Sequence, residues 1–156
     1  MPTAYDQDFF GWTQDQAAAL RKVASEKPNA VTGLDWENLA EEIESLGRSE
    51  LRAMESALVR VVEHLLKLRY SPARDPRAGW QESVDLHRDD LQRLKRDNPG
   101  LVRRIDLAGI YASARRIAGK SIEKHDGVPA SVLPPTCPFT LEQIETDDWY
   151  PEPLHS

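Results

Sequence analysis

One cysteine, Cys137, stands in a chain of 156 residues, so neither a disulfide framework nor a multi-cysteine zinc site can brace the fold, and the lone thiol points to a reducing compartment. No apolar run approaches the roughly 18 residues of a membrane span. The opening MPTAYDQDFF carries acids where a secretory leader would carry bases. A cytoplasmic protein with no membrane partner is expected. No stretch alternates β-branched with polar residues between turn signals, so a sheet has no support. Gly-x-Ser-x-Gly, a Walker loop and Gly-x-Gly-x-x-Gly are all missing, which leaves acyl transfer and nucleotide use without a motif. There is no internal repeat.

What remains is 40% hydrophobic and 29% charged, enough to bury a core and too apolar for wholesale disorder. The length predicts a single helical domain over 1–156, with its core about 5–125 and a wrapping segment over 126–156. The net charge of -6 is segregated. Residues 1–66 hold 6 Lys/Arg against 12 Asp/Glu, residues 67–124 hold 14 against 8, and residues 125–156 hold none against 6. A basic middle raises nucleic-acid binding as one reading. Asp85, Asp89, Asp90, Asp97 and Asp106 interrupt it, which favours neutralisation by the acidic blocks instead.

Hydrophobic spacing predicts four helices in an all-α, up-and-down four-helix bundle. The first runs from Asp6 to about Glu26 with Phe9, Trp12, Gln16, Ala19, Leu20 and Val23 on one stripe. Asp35 caps a long second helix, whose stripe Trp36, Leu39, Ile43, Leu46, Met54, Leu58, Val61, Leu65 and Leu68 falters at Gly47. That glycine marks a bend or the close approach of another helix. Asp75-Pro76 opens a third helix through Trp80, Val84, His87, Leu91 and Leu94, and Asn98-Pro99 opens a fourth from Leu101 to about Lys124. Prolines 129, 134, 135 and 138 then enforce a proline-rich C-terminal segment. Thr140-x-x-Gln143 has capping-box spacing, so one short extra helix is expected over 141–145, with the tail anchored by Trp149 and Tyr150.

The ordered words of the chain also resemble a known family. Tyr5-Asp6-x-Asp8-Phe9-x-x-Trp12, Asp35-x-x-Asn38-Leu39-Ala40-Glu41-Glu42-Ile43-Glu44-Ser45-Leu46-Gly47, His64-Leu65-Leu66-Lys67, Trp80 with Arg88, Asn98-Pro99-Gly100-Leu101, and Cys137-Pro138-Phe139-Thr140 with Trp149 are similar to the bacterial "domain of unknown function 29" family over roughly Ala4 to Pro151. The family commonly has serine where this chain has Gly100. The resemblance implies a bacterial all-helical domain and brings no activity, cofactor or partner with it.

Several polar residues form candidate sites. Di-iron bundles require Glu-x-x-His pairs, and Val61 and Val84 occupy the glutamate positions before His64 and His87. That chemistry is excluded. A mononuclear zinc site from His64, His87 and Glu41 or Asp90 is the remaining metal arrangement, and no metal or cofactor is expected. Glu41, Glu44, His64 and Arg88 are the candidate polar cluster, placed between the second and third predicted helices, either as a structural knot or as an enzyme or metal site. The alternative for Glu41 and Glu44 is pairing with arginines such as Arg48 and Arg52. Cys137 reads as a packing residue. The loop from Arg69 to Arg77 is basic and stiffened by proline, and Arg69, Tyr70, Arg74, Arg77 and Trp80 form the candidate contact surface. The leading expectation is a small interaction module without catalysis of its own, engaging a protein partner or a second copy of itself. An enzyme or metal protein and a nucleic-acid binder are the alternatives.

Overall fold

The computed structural model describes residues 1–155. The chain is 72% helical with no strand among the described residues. Its helices are α1 (Ala4–Gln7), α2 (Phe9–Glu26), α3 (Trp36–Tyr70), α4 (Arg77–Asp97), α5 (Leu107–Asp126) and α6 (Leu141–Glu145), with 3-10 turns at Pro99–Arg104 and Ala130–Val132. The four long helices, α2 to α5, are the number that the hydrophobic spacing predicts. No helix among the described residues is long and apolar enough to cross a membrane. The residues fall into two compact units, Met1–Met54 with Arg93–Ile105, and Glu55–Gln92 with Asp106–Ser156.

In the first unit the predicted opening helix is split at Asp8. Its backbone leaves the helical region (φ -154°, ψ 89°), and its carboxylate caps α2 by accepting from Gly11 N at 3.1 Å. The same Asp8 Oδ1 accepts from Gly100 N at 3.2 Å, which ties the Pro99–Arg104 turn to the start of α2. A Cβ at Gly100 would stand 2.7 Å from Asp8 Oδ2, so the missing side chain is what lets this turn close. The buried positions of α2 are Phe10, Thr13 and Ala17, one step round from the predicted stripe. In α3 Ala40 and Gly47 are buried while Leu39 and Leu46 lie in solvent, reversing the expected faces. The reason is at Gly47. A Cβ there would fall inside the shell of the Thr13 hydroxyl and 3.4 Å from Phe10 Cδ2. Of the two roles open to this glycine, close approach of another helix is the one it performs.

The second unit follows the expected pattern more closely. Leu58, Val61, Leu65 and Leu68 of α3 are fully buried, as the spacing predicts. They share a core with Val84, Leu91, Ile110, Ala114, Ala118, Ile122, Leu133 and Ile144, none more than 5% exposed. The fourth helix begins later than expected. Pro99–Arg104 forms a 3-10 turn, Ile105 is extended, and Asp106 caps α5 by accepting from Gly109 N at 3.2 Å. The short extra helix forms as α6, with Thr140 Oγ1 accepting from Gln143 N and Gln143 Oε1 accepting from Thr140 N.

Candidate functional site

Each member of the expected polar cluster has its own partners, and the cluster does not assemble. Glu44 and Glu41 sit on α3 in the first unit, where Arg21 of α2 and Arg48 bind both carboxylates: Arg48 reaches Glu41 at 2.5 Å and Glu44 at 3.3 Å, and Arg21 pairs with Glu44 and lies 3.5 Å from Glu41. The hydrogen bond from Arg21 holds the Glu44 carboxyl below its ordinary range. The network is largely in water, so its contribution to stability is small. His64 is 23 positions further along α3, a rise of about 35 Å. Its Nδ1 lies 2.7 Å from Arg60 O, an acceptor, and burial pushes its pKa down. His87 Nδ1 is likewise 2.7 Å from its own-turn carbonyl, Ser83 O. No group of three His, Cys, Asp or Glu residues capable of holding a metal ion exists among the described residues.

Arg88 is the residue that the sequence misplaces most informatively. It is 0% exposed, and its Nε and NH2 donate to Ile144 O at 2.8 Å and Gln143 O at 3.0 Å. Those carbonyls end α6, where a helix has no backbone donors to meet them, so a buried cation caps the short helix. The guanidinium stands 5.6 Å from the Tyr150 ring centroid, and burial pushes its pKa down. Tyr150 in turn donates its hydroxyl to Asp85, and Gln92 donates to Asp147 at 3.1 Å. Leu154 N donates to Arg69 O at 2.9 Å. The C-terminal segment is therefore fastened to α3 and α4 by named hydrogen bonds to both helices.

That fastening builds a cleft of about 380 Å³ lined by Arg69, Pro138, Phe139, Gln143, Trp149, Tyr150, Pro151 and Glu152. Phe139 and Trp149 meet edge to face at 5.9 Å. Arg69 NH1 donates to Glu152 O at 3.3 Å and the guanidinium stands 5.7 Å from the Tyr70 ring centroid. The rest of the expected contact surface lies nearby in the same unit. Arg74 and Arg77 line a second cleft of about 340 Å³ with Pro72, Ala73, Pro153 and His155, and Arg77 donates to Leu68 O at 2.6 Å. Trp80 is half-buried, 5.9 Å from Lys67 Nζ, and Lys67 pairs at 3.0 Å with buried Glu63. Burial pushes the Glu63 carboxyl up, but Lys67, His64 and Arg60 together outweigh it and the net shift is downward. Cys137 is half-buried, donates to Phe139 O at 3.3 Å, and has its pKa raised by burial.

Two tyrosines carry a pH signature. Burial pushes Tyr111 up to about 12, with its hydroxyl donating to Pro134 O at 2.5 Å, and burial together with the bond to Asp85 pushes Tyr150 up to about 12. A phenol that ionises at 10.0 when unfolded and near 12 when folded contributes stability that is intact below pH 10 and lost as pH rises through 12. Ultraviolet titration is expected to show two of the four tyrosines ionising near pH 12. Asp85→Asn should bring Tyr150 down and leave Tyr111 in place. Tyr111 and Tyr150 titrating with an ordinary phenol value of 10.0 in the folded protein would contradict these environments.

Comparison with known proteins adds a fold and no activity. No curated protein matches the chain. An α-helical protein of unknown function from Rhodospirillum rubrum ATCC 11170, solved by crystallography at 1.45 Å, is similar over 94% of this chain and 92% of its own, with 29% identity and a TM-score of 0.81. Residues 4–150 match the domain of unknown function DUF29. With that match running through the helices, the Arg88 cap and the rings of the aromatic cleft, the chain belongs to the DUF29 family.

Proposed function

We propose that this chain is a bacterial cytoplasmic binding module without catalysis of its own, and that the cleft at Arg69, Trp149 and Tyr150 takes an extended, proline-containing segment of a partner protein. The carrying observation is the combination of aromatic and proline walls with side-chain donors. A polyproline II segment has no internal hydrogen bonds, so it presents apolar ring faces and free carbonyls together. Aromatic-lined grooves recognise this shape at little ordering cost. Phe139, Trp149 and Tyr150 supply the rings. Gln143 has its Oε1 occupied by Thr140 N, which leaves its amide hydrogens for a ligand, and Arg69 carries further N–H donors beyond the one on Glu152 O. Arg74 and Arg77, in the adjoining cleft, would extend the same surface.

Panning random displayed peptides against the protein is expected to enrich proline-containing sequences, binding at about 10–100 µM, an affinity suited to a short segment on an open cleft. Arg69→Glu and Trp149→Ala should each weaken the selected peptide about tenfold or more. Enrichment without proline, or peptides indifferent to both substitutions, would overturn the reading. Selection of a nucleic-acid probe by Arg74 and Arg77, steeply weakened by salt, would replace it with the basic-surface alternative.

A further inference from the structure

A different pocket, in the first unit, has its own chemistry. About 360 Å³ of open space is lined by Tyr5, Asp6, Phe9, Glu50, Asp97 and Asn98. The aromatic side is organised: Tyr5 meets Phe9 edge to face at 5.4 Å and Trp12 at 4.8 Å, and Tyr5 is 51% exposed. The polar side is acidic and short of cations. Half-buried Glu50 accepts from Asn98 Nδ2 at 3.1 Å and has no cationic side chain within 4.0 Å among the described residues. Asp97 pairs with Arg96 at 3.6 Å, with both side chains largely in solvent. Asp6 is engaged by Thr3 in the cap of α1. Asn98, itself 1% exposed, lines this pocket and is held by its amide donors between Glu50 and Leu94 O, which leaves its Oδ1 as a buried acceptor without a partner. An unmet buried acceptor beside an unpaired carboxylate is an arrangement that a donor-bearing cation would complete.

The nature of that cation follows from the walls. A divalent metal needs several oxygens converging within about 2.6 Å of one point, and no group of three acidic or metal-binding side chains among the described residues is so placed. An organic cation does not need convergence. It spreads its charge over a chain, places C–H and N–H groups on ring faces, and meets separated carboxylates one at a time. We propose that the pocket of Tyr5, Phe9, Glu50, Asp97 and Asn98 binds an alkylammonium group, with Glu50 as its counter-ion and Tyr5 and Phe9 as its aromatic walls. The same chemistry is offered by a free diamine or polyamine and by a lysine side chain, so both sources belong in the test.

Isothermal titration of the full chain with putrescine, spermidine, Nα-acetyl-lysine methylamide and calcium chloride, each in about 0.15 M salt to limit non-specific screening effects, reads the site directly. Saturable one-to-one binding of at least one ammonium compound is expected, weakened about tenfold in Glu50→Gln, which keeps an acceptor for Asn98 and so preserves the fold. Exposed Tyr5→Ala gives a second variant, with a loss of about threefold to tenfold, the scale of one cation–π contact. Preference for the diamines over the lysine amide assigns a small-molecule ligand, and the reverse order assigns a lysine-bearing partner. No saturable heat with any ammonium compound, binding unchanged in both variants, or calcium binding as tight as the amines would overturn the proposal.

Discussion

Arg88→Ala is expected to lower the stability of the protein by about 3 to 5 kcal/mol, the range seen when one side of a buried charged hydrogen-bonded arrangement is removed. Three losses combine. The carbonyls of Gln143 and Ile144 lose their donors, at about 1 to 3 kcal/mol for each acceptor left dry. The volume of a fully buried arginine becomes a cavity beside Tyr150. The end of α6 also loses the cation that opposes its dipole. Urea unfolding followed by circular dichroism should show a midpoint lower by about 2 M for an m-value near 2 kcal/mol/M. Arg88→Lys should recover only part, because one ammonium cannot reach two carbonyls with the fixed fork of a guanidinium. A loss under about 1 kcal/mol would mean that Arg88 is solvated rather than capping.

Gly47→Ala gives a result whose sign decides the packing of the first unit. In a solvent-exposed helix the change stabilises by about 1 kcal/mol. Here the new methyl would overlap the hydroxyl of Thr13, which is 0% exposed and locked by its own bond to Phe10 O at 2.7 Å. Overpacking of this kind costs about 1 to 3 kcal/mol, so net destabilisation is expected. Thr13→Ala removes the overlapping oxygen, leaving a Cβ 3.3 Å from the new methyl, and the double variant should regain most of the loss. A stabilised Gly47→Ala single variant would show that α2 and α3 do not approach here.

The legible parts of the fold are those in which local chemistry and burial agree. Thr140 and Gln143 announce α6 because their side chains satisfy backbone donors wherever the chain places them. Met54 to Leu68 read correctly because bulky side chains must be buried at helical spacing. The first half of α3 reads wrongly for the opposite reason. There the contact is made by Ala40 and Gly47, residues too small to register as hydrophobic, while Leu39 and Leu46 are left in water. The break at Asp106 is hidden too, since its cap of α5 lies inside a pattern that Asn98-Pro99 had already opened.

The candidate site divides along the same line. Arg88 occupies the four-three rhythm of Val84 and Leu91 as well as His87 does, but a charge on that rhythm is read as solvated unless its partner is known. Its partners are backbone carbonyls 55 and 56 residues away, which carry no side-chain signature. The separation of Glu41 from His64 is, by contrast, legible from one long helix, since a rise of about 1.5 Å per residue separates 23 positions far beyond side-chain reach. The segment from Arg69 to Arg77 was visible as basic and proline-stiffened. Its aromatic complement was not, because Phe139, Trp149 and Tyr150 arrive through the C-terminal segment.

The four tryptophans, Trp12, Trp36, Trp80 and Trp149, provide the most direct test of the binding reading. Each contributes one indole N–H signal to a nitrogen–proton correlation spectrum, and a peptide selected by the protein can be titrated while all four are watched. Trp149 is expected to shift with a saturating profile, in company with the Arg69 and Tyr150 backbone signals, while Trp12 and Trp36 stay fixed. A selected peptide that moves Trp12 or Trp36 and leaves Trp149 untouched would contradict the assignment of the cleft.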